Sequence, residues 1–281
     1  AFTMQENHMC SADMREFIAN NHLNLSMDGS LNPREAFGSH DDADHVYNTP
    51  RAWYMLRCLN PHTYNWDGSD ADFTPESDDL PWCMVPEKKI TVEDVKYVLS
   101  SHYQGTPYDP YGAYGDPGQR GMYRSIGINR NDFVGLVHIR PEHGEDASVL
   151  EWVAYGSNAF NAMVPFYAQV EKTPANTTAE VSTDNFYWVS RMIGAMADAS
   201  YKKSVFHVER YQEKVLSKGH EIINHYDKLL EKETDAGKRM ALKTEANNAV
   251  ADKVKKEADT LDKVLFELCG QMKNAFARSD A

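Results

Sequence analysis

The fold class follows from the stretch Val-Leu-Glu-Trp-Val-Ala-Tyr at residues 149–155, whose β-branched and aromatic side chains are typical of a strand. Residues 162–170 predict a further strand. Upstream, residues 126–128 and 133–140 predict a hairpin around the turn-forming residues 129–132. These segments together predict an antiparallel sheet.

The rest of the chain differs in composition from this sheet region. All 12 prolines lie within residues 1–174, which contain 25 acidic and 12 basic side chains, whereas residues 175–281 contain 17 of each. Apolar residues recur at helical spacing after Thr183, and the last predicted helix runs from Val250 to Met272. We therefore predict an α+β protein in which a long-helix region, residues 175–281, packs on the sheet-bearing part, residues 1–174.

Short helices are predicted before the sheet. Residues 13–18 indicate one, and residues 50–59 indicate another with proline in its first turn. Thr91 is predicted to cap a third, in which the valines at 92, 95 and 98 share one face.

The composition excludes several classes of protein. With 42% hydrophobic and 25% charged residues, the 281-residue chain has a globular composition. Its net charge of -13 disfavours nucleic acid as a partner, and its apolar runs are far shorter than the ~18 residues of a membrane span. The four cysteines are too scattered for a CxxC pair or a disulfide framework. We expect neither a nucleic-acid nor a membrane partner, and a cytoplasmic location is favoured although no targeting signal specifies one.

Residues 40–45, His-Asp-Asp-Ala-Asp-His, form the densest group of candidate metal ligands. Imidazole and carboxylate are ligands that zinc and manganese accept. The spacing matches no standard metal motif, so a solvated acidic loop is the favoured interpretation. A metallohydrolase that uses His40, Asp44 and His45 is the alternative.

Two stretches are rich in groups that suit the wall of a binding cavity. Residues 100–112 follow a predicted helix and combine three tyrosines, a histidine and an aspartate with glycine and two prolines. Residues 156–167 contain Asn158 and Asn161, which suit either a substrate amide or the backbone of a turn. The tyrosines of the first stretch are equally suited to sealing the core.

These two stretches, together with Tyr-Asn-Thr-Pro-Arg-Ala-Trp-Tyr at residues 47–54, resemble the carboxyl-terminal part of the bacterial dipeptidase A family. Residues 20–23 and 125–130 fit the same pattern. The resemblance extends from about Phe17 to Tyr201 and fades in the helical tail.

The resemblance implies a cysteine peptidase of the N-terminal-nucleophile (Ntn) hydrolase type with an αββα sandwich. Such an enzyme hydrolyses dipeptides with the thiolate of an N-terminal cysteine, whose own α-amine is the base, and needs no cofactor and no metal. Residue 1 is alanine here and Cys10 is internal. We therefore expect the nucleophile in preceding polypeptide, which would be a partner of this chain along with the dipeptide substrate. Homo-oligomerisation is left open.

The resemblance also selects candidate site residues. Arg51 is predicted to lie beside the nucleophilic sulfur and favour its ionised form, with Arg57 as the alternative. An ordinary helix salt bridge of Arg51, for example with Asp44, is the competing interpretation. The predicted substrate-binding residues are His102, Tyr103, Asp109 and Asn158.

A non-enzymatic scaffold remains an alternative function, because the same family includes the secernins and a chain without its nucleophile could persist for binding alone. If the chain is part of a sandwich, we expect a strand with an open edge and an exposed apolar sheet face.

Overall fold

Three antiparallel strands form the sheet in the computed structural model, which describes residues 10–27, 29–39, 41–178, 180–257 and 259–271. The strands are β1 (Phe133–Ile139), β2 (Val149–Tyr155) and β3 (Val164–Tyr167), in the order β1-β2-β3. β3 is shorter than the strand predicted over residues 162–170. The sheet and the helices on either side of it in sequence confirm the α+β class.

The hairpin predicted around residues 129–132 is wrong. β1 pairs with β2 instead, so that Ile139 lies opposite Val149. The isoleucines on either side of Gly127 lie in a loop, where the Gly127 N–H donates to Ser101 O at 2.8 Å. Pairing with another loop, rather than with β1, therefore satisfies this backbone.

Helices lie before and after the sheet. The first group is α1 (Met14–Asn20), α2 (Pro33–Phe37), α3 (Asp44–Tyr47), α4 (Thr49–Leu59) and α5 (Val92–Leu99). The second group is α6 (Phe186–Ala199), α7 (Tyr201–Leu230), α8 (Ala236–Glu257) and α9 (Asp259–Cys269). Thr91 caps α5 as predicted: its side chain accepts from the Asp94 N–H at 3.1 Å, and the Asp94 carboxylate accepts from the Thr91 N–H at 2.9 Å. The predicted short helices are confirmed as α1, α4 and α5.

The last predicted helix corresponds to the end of α8 and to α9, which lie on either side of residue 258, and both residue 258 and the predicted end at Met272 lie outside the described residues. α8 packs on α7 and β3, whereas α9 packs on α6 and α7. α7 approaches β3 closely at Gly219, where an added Cβ would lie 2.6 Å from Pro165 Cδ. The helical region thus packs on the sheet, and the division into parts 1–174 and 175–281 stays a prediction.

Apolar clusters lie on both faces of the sheet, because alternate residues of a strand point to opposite faces. Val153, Val164 and Phe166 pack with residues of α6, α7, α8 and α9. Trp152 and Tyr167 pack on the other face with residues of α7 and α8. A separate aromatic core surrounds α4 and consists of Trp53, Tyr54, Trp66, Leu80, Tyr103 and Tyr123.

The β1 edge of the sheet is open in the described part of the chain. β1 pairs on one side only, and three apolar residues of one face are exposed: Phe133 by 62%, Val137 by 63% and Ile139 by 67%. An open edge with an exposed apolar face is what we expected of a partial sandwich. Among the described residues, no helix combines the length and the apolar character needed to cross a membrane.

Candidate functional site

The loop that follows α5 carries His102 to a position between two cavities, of about 350 Å³ and 440 Å³. The loop turns sharply at Tyr103, whose φ of 65° is in the left-handed region, and at Gly105, whose φ is 79°. Phe160, from the turn after β2, also lines both cavities. The two stretches that the sequence singled out therefore meet at one place.

His102 is held on both sides of its ring. Its Nδ1 lies 2.9 Å from Asp109 Oδ1 and its Nε2 lies 3.3 Å from the hydroxyl of Tyr201, at the start of α7. Because a carboxylate only accepts, Nδ1 donates to Asp109, and Nε2 is directed toward the Tyr201 hydroxyl. Asp109 also accepts from the Tyr111 N–H at 2.9 Å, and the Tyr111 and Tyr201 rings stack at 3.9 Å. The imidazole orientation is thus fixed by its surroundings.

Lys96 forms part of the wall of the smaller cavity, where apolar side chains from residues 159–163 and α7 lie beside three glutamates, Glu93, Glu209 and Glu213. Its Nζ donates to Ser100 Oγ and Asn158 O, each at 2.6 Å, and to Asn161 Oδ1 at 2.7 Å. These acceptors are all neutral, and burial lowers the pKa of Lys96 to about 7. The ammonium links α5 to the turn that carries both asparagines.

The larger cavity has charged groups of both signs in its wall. Arg191 and Asp198 of α6 line it together with Ser125, Asn129 and Ser157. The Arg191 Nη1 donates to Asn129 O at 2.9 Å. The Tyr111 hydroxyl donates to the Asp198 carboxylate. This cavity therefore has an oriented cation and an oriented anion in one wall.

The predicted substrate-binding residues are only partly brought together. Asn158 is buried beside Lys96, where its Nδ2 donates to Leu99 O at 3.3 Å and its Oδ1 receives no hydrogen bond from the described residues. Asp109 acts on His102 rather than facing a cavity directly. The Tyr103 side chain points into the aromatic core and its hydroxyl donates to Arg124 O at 2.8 Å. Its role in substrate binding stays a prediction.

Arg51 lies in α4, away from the lining of both cavities. Its Nε donates to Tyr47 O and its Nη2 to Asn48 Oδ1 at 3.1 Å. It lies near enough to Tyr103 for its charge to offset part of the rise in the tyrosine's pKa that burial causes. Arg57, the alternative, forms an ion pair with Asp67 at 2.8 Å.

The candidate metal ligands do not assemble within the described residues, where no three His, Cys, Asp or Glu side chains are grouped so as to hold a metal ion. His45 Nε2 lies 2.8 Å from Asp78 Oδ1, and this hydrogen bond raises the pKa of His45. Asp44 accepts from Asn48. His40 lies outside the described residues.

Residues 1–214 match peptidase family C69. The chain belongs to this family. It is 45% identical to a protein named dipeptidase from Bifidobacterium longum (strain NCC 2705), over 98% of the chain and 60% of the relative. It is 44% identical to a probable dipeptidase A from Streptococcus pyogenes serotype M18, over 99% of the chain and 57% of the relative. The resemblance to dipeptidase A enzymes is confirmed.

This C69 chain spans about three fifths of the length of these curated relatives. A more distant relative, a probable dipeptidase B from Lactococcus lactis subsp. lactis (strain IL1403), is 35% identical over 98% of the chain and 57% of its own length. The match thus includes the helical tail, where sequence motifs alone had faded.

Sequence reasoning missed three charged residues of the candidate site: Lys96, Arg191 and Asp198. A signal existed for Lys96, because it follows Val92 by four residues and so lies on the apolar face of α5, where a charge is unusual. Arg191 and Asp198 carry no comparable signal, since they are polar residues on an amphipathic helix.

Proposed function

We propose that the chain is the carboxyl-terminal portion of a cysteine-type Ntn dipeptidase, with the nucleophilic cysteine in preceding polypeptide. One observation carries this proposal: the loop 100–112 and the turn 156–161 meet around His102 in a chain that is similar to proteins named dipeptidases over nearly all its length. Cavities at the meeting point of such loops are the usual location of a substrate site.

In the proposed reaction, the cysteine thiolate attacks the carbonyl carbon of the dipeptide and forms a C–S bond. The C–N bond then breaks, and the carboxyl-terminal amino acid leaves after its nitrogen takes a proton from the α-ammonium of the cysteine. Water attacks the resulting thioester and gives one proton to the α-amine, the C–S bond breaks to restore the thiolate, and the amino-terminal amino acid is released as its carboxylate while the second proton goes to solvent. Donors of the site would stabilise the oxyanion of each tetrahedral intermediate.

The open β1 edge supports the proposed αββα sandwich. Phe133, Val137 and Ile139 present an exposed apolar surface on one face of the sheet. Exposed apolar patches of this kind mark surfaces that another element covers. We propose that strands of the preceding polypeptide that bears the nucleophile continue the sheet at the β1 edge and cover these residues, beside the part of the same face on which the helices pack.

The mechanism is tested by expressing the full protein with its preceding sequence and following hydrolysis of Ala-Ala. We expect thiol alkylation, or replacement of the proposed N-terminal cysteine by alanine, to abolish turnover, and a chelator to leave it unchanged. Inhibition by the chelator alone would instead support the metallohydrolase alternative. Binding of peptides without any hydrolysis would support the scaffold alternative. Turnover by residues 1–281 alone would refute the proposed location of the nucleophile.

The auxiliary role proposed for Arg51 is tested in the same protein. Arg51→Ala should lower kcat/KM for Ala-Ala by more than about tenfold, because a guanidinium beside a thiolate stabilises its charged form. Arg57→Ala tests the alternative, and Arg210→Ala on the exposed surface of α7 is the matched control. If Arg51→Ala stays within a few-fold of wild type, the role is abandoned.

A further inference from the structure

One stripe of α6 carries opposite charges at its two ends. Arg191, Gly194, Ala195 and Asp198 are spaced at i, i+3, i+4 and i+7, so they lie on one side of the helix, and all four line the larger cavity. The two residues between the charges are small. Gly194 is buried, and a Cβ on it would lie 3.2 Å from Ser157 Cβ, so the helix surface between the guanidinium and the carboxylate is open to the cavity at Ala195.

Both charged groups are oriented and keep bonding capacity. Arg191 Nη1 donates to Asn129 O at 2.9 Å. The aliphatic part of its side chain packs closely on Gly156, since a Cβ added to that glycine would lie 3.3 Å from Arg191 Cδ. A guanidinium has five N–H donors, so others remain for a ligand. The Asp198 carboxylate accepts from the Tyr111 hydroxyl and has further lone pairs.

The separation of the charges matches the length of a dipeptide. Seven residues of helix give a rise of about 10.5 Å between Arg191 and Asp198. An extended dipeptide spans about 7 Å. A hydrogen bond of about 2.9 Å at each end extends the required separation to roughly 13 Å, which side chains leaning outward can supply. A single amino acid carries its two charges on one carbon and is too short to reach both groups.

We propose that this stripe binds the two charged ends of an unblocked dipeptide, with Arg191 on the carboxylate and Asp198 on the ammonium. The peptide would lie over Ala195, beside the turn that packs on Gly194. The choice of a peptide as ligand rests on the proposed dipeptidase function, whereas the binding itself does not require the nucleophile. The site would select peptides with both termini free.

Calorimetry tests the assignment on the full protein, with the proposed N-terminal cysteine replaced by alanine so that no peptide is consumed. The ligands are Ala-Ala, N-acetyl-Ala-Ala, which lacks the ammonium, and Ala-Ala amide, which lacks the carboxylate. We expect each blocked peptide to bind about tenfold more weakly than Ala-Ala, as is typical for loss of a charge-assisted contact. Free alanine should bind more weakly than Ala-Ala.

Two variants distinguish the ends of the site. Arg191→Gln should remove the preference for Ala-Ala over Ala-Ala amide and retain the preference over N-acetyl-Ala-Ala. Asp198→Asn should do the reverse. Arg210→Gln, on the exposed surface of α7 over the Phe206 ring, is the matched control and should change neither preference. A circular dichroism spectrum of each variant verifies that it is folded.

Ala-Ala binding within twofold of wild type in both variants, or equal loss of both preferences in each variant, would overturn the assignment. The failure of this site differs from that of the proposed function. If the protein hydrolyses Ala-Ala and the two variants keep the wild-type preferences, the proposed binding site is refuted and the dipeptidase function stands. If the protein that retains its cysteine binds Ala-Ala selectively but does not hydrolyse it, the dipeptidase function is refuted and the proposed binding site stands.

Discussion

Arg140 and Lys96 are both buried cations, yet their surroundings are opposite. Arg140, which follows β1, forms a two-pronged ion pair with Asp227 of α7, with N···O distances of 2.6 and 3.1 Å. The Tyr167 hydroxyl of β3 donates to the same carboxylate at 2.7 Å. Lys96 instead donates to three neutral oxygens.

The difference indicates that Arg140 stabilises the fold, whereas Lys96 belongs to the candidate site. The Arg140–Asp227 pair ties the sheet to α7 with its charge compensated, and neither residue lines either cavity. Lys96 has no carboxylate partner among the described residues, and its acceptors include both asparagines of the turn beside His102. A cation without a compensating charge costs stability when it is buried, and such arrangements concentrate at functional sites.

Removal of the compensating charge should have the largest effect. Asp227→Asn leaves Arg140 buried without an anion, and we expect the free energy of unfolding to fall by about 3–5 kcal/mol. Urea denaturation measures it. Asp184→Asn, which breaks an exposed pair with Lys255, is the matched control. A loss from Asp227→Asn no larger than that of the control would mean that the ion pair does not hold the fold together.

Lys96 should make stability depend on pH in a way that Arg140 cannot. Because the pKa is about 7 in the folded protein and about 10.4 in the unfolded chain, the unfolded state binds more protons between these values. Stability should therefore rise from pH 7 to pH 9, by up to about 1.4 kcal/mol per pH unit.

The comparison variant is Lys96→Met, which fills similar space without an amine. Its free energy of unfolding should lack this rise, so wild type gains on the variant as the pH increases. Urea denaturation at pH 7, 8 and 9 measures the difference. Parallel pH profiles of the two proteins would show that Lys96 titrates normally.

A substitution at Gly127, which packs on the hydrogen-bond partner of Lys96 at Ser100, should lower the free energy of unfolding by an intermediate amount. A Cβ on Gly127 would lie 2.5 Å from the carbonyl oxygen of Ser100, so Gly127→Ala forces the backbone at Ser100 to shift. We expect a loss of about 1–3 kcal/mol by urea denaturation, as for other overpacked positions. Gly118→Ala is the control, because its Cβ meets only ordinary contacts at 3.5 Å. Equal stabilities of the two variants would show that the 125–130 loop moves freely.

Loss of an exposed ion pair in α9 should have the smallest effect on the free energy of unfolding. Lys263 lies 2.7 Å from Asp259 within α9, and both side chains are about half exposed. Lys263→Ala should leave the free energy of unfolding within about 0.5 kcal/mol of wild type in the same denaturation assay, because solvent screens the pair. A loss above 1 kcal/mol would indicate a tertiary contact of the Lys263 side chain beyond its pair with Asp259.

Sequence patterns predicted the elements well where local signals sufficed. The capping residue Thr91 located α5, and the β-branched run located β2. They failed for pairing: residues 126–128 have the composition of a strand, but contact with Ser101 removes them from the sheet.

The sequence by itself determined the α+β class, the membership in a peptidase family and the stretches that form the cavity walls. Only the tertiary structure decided that Lys96 is buried against the 157–161 turn and that Arg191 and Asp198 share a cavity with His102. The physical reason is distance along the chain. Helical periodicity specifies which residues share a face, whereas the group that meets that face comes from a loop tens of residues away.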